Sequence, residues 1–402
     1  MGEVRNMKSI MILGGSELQL PAIQEAKNIG IKTIVIDRNP RAIGVRHADE
    51  FYEVSTLDHC RIIELVQRLQ PNGIMTAASD APVLTISRVA HATGMEAMSI
   101  EDAMAVTNKY LMRKRLEENA IPSAQFFAVK NHQEYVDAIK HFDSLFIVKP
   151  VDNAGGRGIF LVQNQTEADI AYQHSMSFSR TGTILVEEYL DGPEVSVESL
   201  TIGGKTEIIA ITDKLTSGPP YFVEIGHSIQ SMLPEETKRK IEDITKQTIK
   251  AMGIISGPSH TEVKITSGGP KIVEIGARLG GGFITSDLVP LATGINVTEL
   301  SIRLAIGEDI TVPKGINGGA ALRYVLTPKG TKGTISKVTG LESCFDIPGV
   351  HRVVEFKNIG DIVNELRSCD DRIACVIAKG ISAKDAVATC QEALSCLEIQ
   401  VD

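Results

Sequence analysis

The first hundred residues of this chain alternate between short apolar runs and longer amphipathic stretches, and this alternation limits the possible folds more than any other feature. "SIMIL" is followed by "ELQLPAIQEAKNIG" and then by "KTIVID", and the alternation continues through "GIMTAAS" and "APVLTISRVAHATG". Apolar runs of about four to eight residues suit buried strands, and amphipathic stretches suit helices. The pattern predicts a doubly wound, Rossmann-like parallel sheet with helices on both faces.

The rest of the chain has a different organisation. From Ser123 the apolar runs shorten and turn residues cluster, which predicts an antiparallel α+β region up to about Gly307. Beyond it, "AALRYVLT", "GTISKVTG", "VHRVVEF" and "RIACVIAKG" predict further strands, and "SAKDAVATCQEALSCL" predicts a terminal helix. A chain of 402 residues is too long for a single core, so several domains are expected.

The composition argues against several classes of protein. A net charge of −9 disfavours a nucleic-acid partner, and no apolar run approaches the roughly 18 residues that span a membrane. The N-terminal "MGEVRNMKSIMILGG" lacks the apolar segment of a signal peptide. The six cysteines form no CxxC pair, which is typical of reduced, structural cysteines. We therefore predict a cytoplasmic protein without nucleic-acid or membrane partners.

A pair of acids stands out in "HTEVKITSGGPKIVEIGARLGG". Two alternating strands flank a turn at Ser267–Pro270, and a hairpin centred on Gly268 places Glu262 directly opposite Glu274. Opposed carboxylates repel unless a positive charge lies between them, and oxygen ligands without histidine or cysteine suit Mg²⁺. The alternative is a solvated strand face whose acids pair with Lys264 and Arg278.

Two other stretches suggest a nucleotide. In "VKPVDNAGGRGIFLV" a lysine and a glycine-rich bend lie between two strands, but the lysine precedes the glycines, so this is not a P-loop. In "ILVEEYLDGPEVSVESL" paired acids lead into a turn, where Glu187 and Glu194 would face an adenine and a ribose. Taken alone, the second stretch is interpreted as an ordinary hairpin.

The order of these motifs resembles the ATP-grasp superfamily. Lys109 begins a helix, "VKPVDNAGGRG" and "VEEYLDGPEVSVES" follow, and Glu262 and "EIGARLGGG" come last. The resemblance implies an α/β and α+β fold with four parts. These are a Rossmann-like pre-grasp domain (1–108), a lid subdomain (109–186), a central antiparallel grasp subdomain (187–310) and a C-terminal α+β piece (311–402).

The resemblance also implies a site for ATP and Mg²⁺, for which Mn²⁺ would substitute. Lys149 is similar to the lid lysine near the α-phosphate, and the lid glycines to a loop that closes over the β- and γ-phosphates. Glu262 and Glu274 match the metal carboxylates, and Arg278 matches the arginine that stabilises the transferred group. The positions similar to nucleotide-binding residues are Lys109, Lys149, Gly155, Gly156, Gly158, Glu187, Glu188, Tyr189, Leu190 and Glu194.

One departure from the family pattern narrows the resemblance. The usual string is Glu-x-Asn-x-Arg, with the asparagine as a metal ligand, but this chain has Gly276 at that position. The version with a small residue and a following Gly-Gly looks most like the L-amino acid ligases. That likeness also assigns Glu224 and His227 to the metal and substrate region, whereas on local pattern alone they are a surface strand residue and a turn residue.

The resemblance implies a carboxylate–amine ligase that acts through an acyl phosphate on small-molecule carboxylate and amine substrates, as a possible homodimer. The first alternative is an ATP-grasp enzyme that activates bicarbonate or formate. The second is a non-catalytic nucleotide-binding protein. In "GGGFITSDLVPLATG", Asp287 is expected to cap a helix. In the glycine-rich bend of "VKPVDNAGGRGIFLV", Arg157 is expected to point into solvent.

Overall fold

A computed structural model describes residues 7–143, 145–153, 155–327 and 330–402. The N-terminal part contains a parallel sheet in the order β3-β2-β1-β4, with apolar strand residues facing helices on both sides. This confirms the predicted doubly wound domain. Its strands are β1 (Ser9–Leu13), β2 (Lys32–Asp37), β3 (Glu50–Glu53) and β4 (Gly73–Met75). Its helices are α1 (Leu20–Asn28), α2 (His59–Leu69), α3 (Ala81–Thr93) and α4 (Ile100–Thr107).

A small antiparallel sheet in the order β5-β8-β6-β7 follows. Helix α5 (Lys109–Glu118) precedes this sheet. The side chains of Met112 and Leu116 on α5 pack in one apolar core with residues of the central sheet. The cap of α5 is Asn108, whose side chain accepts from two backbone N–H groups. The other elements are β5 (Phe126–Val129), α6 (His132–Ile139), β6 (Phe146–Pro150), β7 (Phe160–Val162), α7 (Ala168–Phe178) and β8 (Ile184–Glu188).

The largest sheet has eight antiparallel strands in the order β13-β12-β9-β10-β11-β14-β18-β16. The middle of the chain contributes β9 (Glu194–Ile202), β10 (Lys205–Thr216), β11 (Glu224–Ile229), β12 (Gly257–Thr266) and β13 (Gly269–Gly276). It also contributes α8 (Glu235–Ala251), α9 (Val289–Thr293) and α10 (Val297–Ala305).

The C-terminal strands extend this same sheet. The elements after residue 310 are β14 (Gly319–Val325), β15 (Gly333–Thr339), α11 (Leu341–Phe345), β16 (Val350–Glu355), β17 (Ile362–Val363), β18 (Ala374–Gly380), α12 (Ala383–Cys396) and β19 (Glu398–Val401). The predicted terminal strands and helix are therefore present, and β17-β15-β19 form a separate small sheet. The predicted boundaries at 108, 186 and 310 stay a proposal.

The first domain is joined to the central sheet where the site lies. Both contribute side chains to one apolar core, in which Ile12 of β1 lies with Leu200 of β9 and Leu322 of β14. An isolated parallel β-bridge between Ala77 and Leu279 connects the loop after β4 with the segment after β13. Among the helices of the described ranges, none combines the length and apolar character needed to cross a membrane.

Candidate active site

The predicted acid pair is present on the β12–β13 hairpin. Glu262 pairs directly with Glu274 in the register, as predicted. The turn is tighter than expected, since Thr266 pairs with Gly269, and a bulge between Glu262 and Val263 restores the alignment. The acid pair therefore depends on an irregularity that the symmetric hairpin did not contain.

Lysines neutralise the two acids, but they are not the lysine and arginine expected from the hairpin. Lys109 Nζ lies 2.7 Å from Glu274 Oε1, and Lys214 Nζ lies 3.1 Å from Glu262 Oε1. Lys264 contacts Glu194 at 3.4 Å instead, and Arg278 contacts Asp80. The opposed carboxylates thus meet cations from other elements, and the alternative in which they pair with Lys264 and Arg278 is wrong.

Glu262 lies in a dense charged environment. Burial alone would raise its pKa, but Lys214 and His260 hold the pKa of this carboxyl well below its usual range. His260 Nε2 lies 3.7 Å from Glu262, and its Nδ1 lies 2.5 Å from the buried Glu198. Burial lowers the pKa of His260, yet Glu198 outweighs it and raises the value to about 9. Glu262 therefore remains an anion that can bind a cation.

The donor chemistry of this hairpin fits a hard divalent cation. Glu262 and Glu274 offer carboxylate oxygens on one face of the hairpin, and their side chains are 23% and 28% exposed. Each carboxylate is now neutralised by a lysine ammonium group, a role that a bound metal ion would take over. In the described ranges no three acidic, histidine or cysteine side chains are already grouped as a metal site. A cation would therefore have to displace at least one lysine.

Lys149, on β6, is held in a buried cluster of three charges. Its Nζ lies 2.6 Å from Glu187 Oε2. The Nε of Arg113 lies 2.9 Å from Glu187 Oε1, but the angle does not allow a hydrogen bond, so this contact is an ion pair only. Arg113 Nη2 also donates to the Val273 carbonyl at 2.7 Å. Burial, with Glu187 opposing it, lowers the pKa of Lys149. Glu187 therefore lies buried beside two cations, and its contact with the adenine stays a prediction.

The lid glycines differ in their surroundings. Gly155 and Gly156 have φ of +65° and +74°. The nearest atom to an added Cβ would be 3.9 Å away at Gly155, and no atom lies within 4 Å at Gly156. At Gly158 an added Cβ would lie 2.6 Å from Phe178 Cβ. Arg157 is exposed, as predicted, and its Nε donates to Asn153 Oδ1. Gly158 therefore fixes the base of the loop, and the other two glycines form an open tip.

Replacing Gly156 with proline should lower turnover by about 100-fold, because proline cannot adopt the positive φ and removes a backbone donor from the tip. Steady-state phosphate release measures the effect, and an unchanged melting temperature shows that the fold is intact. Arg157→Ala is the control, since it changes the neighbouring side chain without altering the backbone. Equal rates for Gly156→Pro and wild type would rule out closure by this loop.

The segment after β8 is a connection between two sheets. Local pattern predicts an ordinary hairpin here, but β8 lies in the sheet β5-β8-β6-β7 and β9 in the eight-stranded sheet. Glu188 binds Lys271 at 2.9 Å, Tyr189 packs near Phe222, and Leu190 is buried. Glu194 binds Lys214 at 2.7 Å. The geometry suits a hinge between the lid and the central sheet.

Arg278 is clamped by the first domain. Its Nε and Nη2 each lie 2.9 Å from one oxygen of Asp80, and this pair raises the pKa of Arg278 against the effect of burial. An added Cβ at Gly276 would lie 2.4 Å from Asp80 Oδ1. The Asp80 carboxylate thus occupies the space that the usual asparagine would need, which explains the glycine.

Replacing Gly276 with alanine should lower turnover by about 100-fold, because the new methyl group would push Asp80 away from Arg278 and misplace the guanidinium. Gly268→Ala is a matched control in the same hairpin, where the nearest atom to an added Cβ is 3.7 Å away. Steady-state kinetics compares the two variants. If they behave alike, the Asp80–Arg278 pair is not required for turnover.

Glu224 and His227 lie side by side on β11. Glu224 Oε2 lies 3.7 Å from His227 Nε2 and 3.3 Å from Arg372, and Oε1 lies 3.2 Å from Lys214. His227 is 1% exposed, and both of its ring nitrogens lack a hydrogen-bond partner. A buried, unpartnered imidazole is unusual and suits a residue that awaits a ligand. Neither residue occupies the surface or turn position that local pattern suggested.

Asp287 does not cap a helix, contrary to the expectation. It lies in a short π-helical segment, Ile284–Leu288, without a side-chain cap. It accepts from Ser286 Oγ at 2.5 Å and binds Arg352 at 3.1 Å. The carboxylate is therefore used to attach β16 to this segment.

Sequence reasoning missed three residues of the site. Arg113 is one turn after Lys109 and beside the buried Met112, a spacing that indicates the same inward face. Lys214 lies in a mostly polar run at the end of β10, and Asp80 follows the end of β4, but neither pattern is specific. Their partners are distant in sequence, so local patterns carried little signal.

Comparisons with known proteins agree with this geometry. Residues 142–287 match the ATP-grasp domain model, and residues 325–402 match the model for L-amino acid ligase C-terminal domain 2. The L-arginine-specific L-amino acid ligase of Bacillus subtilis is 23% identical over 351 residues, 85% of this chain and 84% of that protein. A formate-dependent phosphoribosylglycinamide formyltransferase of Sulfurisphaera tokodaii is 24% identical over 359 residues, 85% and 86% of the two chains.

Solved structures share the whole architecture. The L-amino acid ligase from Bacillus licheniformis superposes with a TM-score of 0.82 at 21% identity, covering 98% of this chain and 99% of that one. The biotin carboxylase domain of Hydrogenobacter thermophilus 2-oxoglutarate carboxylase, in complex with MgADP and bicarbonate, gives 0.77 at 18% identity, covering 98% and 91%. Residues 142–287 therefore form an ATP-grasp domain, a domain of enzymes that use ATP with Mg²⁺. Residues 325–402 form an L-amino acid ligase C-terminal domain, and the relatives include ATP-dependent ligases that form carbon–nitrogen bonds.

Proposed function

We propose that this enzyme joins an amino-acid-like carboxylate to an amine, forming an amide or peptide bond through an acyl phosphate. The observation that carries the proposal is His227, which is buried beside Glu224 and has no hydrogen-bond partner at either ring nitrogen. An imidazole in that state can donate to a carboxylate or phosphate oxygen. The L-amino acid ligase C-terminal domain and the Bacillus relatives support amino-acid substrates.

The chemistry joins two anions, so charge neutralisation dominates the task of the protein. The substrate carboxylate attacks the γ-phosphorus of ATP and ADP leaves, and the amine then displaces phosphate from the acyl phosphate. Lys149 and Lys109 would contact phosphate oxygens, and Arg278 would stabilise the transferred group. Glu194 and the hinge Glu187–Leu190 would hold the nucleoside. Glycines 155, 156 and 158 would close the lid and exclude water.

Glu262 and Glu274 would hold Mg²⁺, which supplies positive charge next to the phosphates when bound. Mn²⁺ should replace it, because it takes the same oxygen ligands. Lys109 already contacts Glu274 and the Asn153 carbonyl of the lid loop, so it would link the metal hairpin to the lid.

The substrate side chain would lie in a cleft between the first domain and the segment after β13. Leu18, Pro21 and Phe283 contribute apolar surface to this cleft, and Ser286 contributes a hydroxyl. These residues support a substrate with a modest apolar side chain.

The location and assembly of the enzyme are also proposals. All six cysteines are unpaired, which supports the cytoplasm, and the net charge of −9 supports the absence of a nucleic-acid partner. A homodimer is proposed from the family resemblance, and analytical ultracentrifugation tests it.

Phosphate release from ATP tests the proposed function. The purified enzyme is incubated with ATP, Mg²⁺ and pairs of amino acids, and in parallel with bicarbonate or formate. The formyltransferase relative makes the second arm a real alternative. We expect release with amino acids and a dipeptide product by mass spectrometry. Release with bicarbonate or formate alone would replace the proposal by that alternative, and no release in either arm would remove the support for both.

A further inference from the structure

Lys214 is a buried cation shared by three acids of the site. Its Nζ lies 2.7 Å from Glu194 Oε1, 3.1 Å from Glu262 Oε1 and 3.2 Å from Glu224 Oε1, and its side chain is only 9% exposed. An ammonium group has three N–H donors, so it can serve all three carboxylates. The three acids raise the pKa of Lys214 well above its ordinary value despite burial. The lysine is therefore a fixed positive charge.

The three acids come from three strands around β10. Glu194 begins β9, Glu224 begins β11, and Glu262 lies on β12. In the proposed function they belong to the ribose, the substrate and the metal ion, respectively. Lys214 thus contacts all three parts of the site from one position in the sheet.

Each acid also has a second cationic neighbour of its own. Lys264 lies 3.4 Å from Glu194, Arg372 lies 3.3 Å from Glu224, and His260 lies 3.7 Å from Glu262. None of these ion pairs joins one acid of the trio to another. Among the described residues Lys214 connects the three acids, and each of them would keep at least one other basic neighbour without it.

We infer that Lys214 is a positioning residue that couples the nucleotide, metal and substrate sites by acting as the internal counter-ion of Glu262 until a divalent cation replaces it. This inference rests on the proposed function. When a cation binds Glu262, Lys214 keeps Glu194 and Glu224 as partners, so it continues to hold the ribose and substrate acids in place. The lysine competes with the cation while nucleotide is absent.

Mn²⁺ binding to the nucleotide-free enzyme tests this inference, measured by electron paramagnetic resonance of free Mn²⁺. Lys214→Met should bind Mn²⁺ about tenfold more tightly than wild type, because the competing charge is gone. Turnover should nevertheless fall, since Glu194 and Glu224 lose their common partner. Lys214→Arg keeps the charge and should stay near wild type in Mn²⁺ affinity. Lys205→Met, on the same strand but 83% exposed, is the matched control and should change neither property.

An unchanged or weaker Mn²⁺ affinity in Lys214→Met would overturn the inference, because a purely structural lysine would not oppose metal binding. If that variant is too unstable to titrate, Mg²⁺ should raise its melting temperature by several degrees more than that of wild type, and an equal shift would overturn the inference. Failure of wild type to bind Mn²⁺ even with ADP present would instead contradict the proposed function. The two failures are therefore distinguishable.

Discussion

Glu274→Ala should lower turnover by about 10³-fold, because the proposed metal site on the β12–β13 hairpin loses one of its two opposed carboxylates and Lys109 loses its anion. The remaining acid, Glu262, already has Lys214 as a close partner. A single carboxylate with a competing lysine is a poor ligand set for Mg²⁺. Single-turnover phosphate release and Mn²⁺ binding in the presence of ADP should both fail in this variant.

A second acidic residue separates this effect from a general loss of charge. Glu207 pairs with Lys205 on the surface and is 45% exposed, so Glu207→Ala should turn over at the wild-type rate. Glu274 is itself 28% exposed, so its replacement should change the free energy of unfolding little. Wild-type rates in Glu274→Ala would refute the metal assignment, and a collapsed melting temperature would show that the acid acts through the fold.

The hairpin shows how far the sequence determined the site. The alternation of "HTEVKIT" and "KIVEIG" was enough to place Glu262 and Glu274 on one face, because side-chain direction has a period of two in a strand. The bulge that brings them into register was not predictable, because the alternation carries no signal for the extra residue that β13 inserts opposite Glu262 and Val263. Local pattern therefore gave the correct pair with an incorrect turn.

The partners of the charged residues were beyond local pattern. Arg278 meets Asp80 across 198 residues of sequence, and Arg113 meets Glu187 across 74. Periodicity assigns a side chain to a face, but the element that covers the face is decided by the packing of the first domain and lid against the central sheet. The strands and helices of the fold were accordingly predictable, whereas the ion pairs that build the site required the structure.

Glu187 is the residue whose loss should destabilise the protein most. It is 3% exposed and is the shared anion of Arg113 and Lys149, which are also buried. Burial favours the neutral acid, but the two cations lower the pKa of Glu187 and keep it charged. Removing this carboxylate leaves two buried cations without their counter-ion, whereas removing Arg113 leaves a neutral pair. Loss of Glu187 should therefore reduce the free energy of unfolding more than loss of Arg113.

Glu187→Gln is expected to reduce the free energy of unfolding by about 3–5 kcal/mol, the size found when one partner of a buried ion pair is removed. Urea denaturation of Glu187→Gln and wild type measures this difference in the free energy of unfolding. Glu188→Gln is the matched control, because the adjacent acid is 37% exposed and pairs with Lys271 at the surface, so its loss should cost about 1 kcal/mol or less. Adding Arg113→Met to Glu187→Gln should restore part of the stability, since one uncompensated cation is then gone. Equal destabilisation by the two glutamine variants would mean that Glu187 contributes no more to stability than a surface acid, and that other contacts hold Lys149 in place.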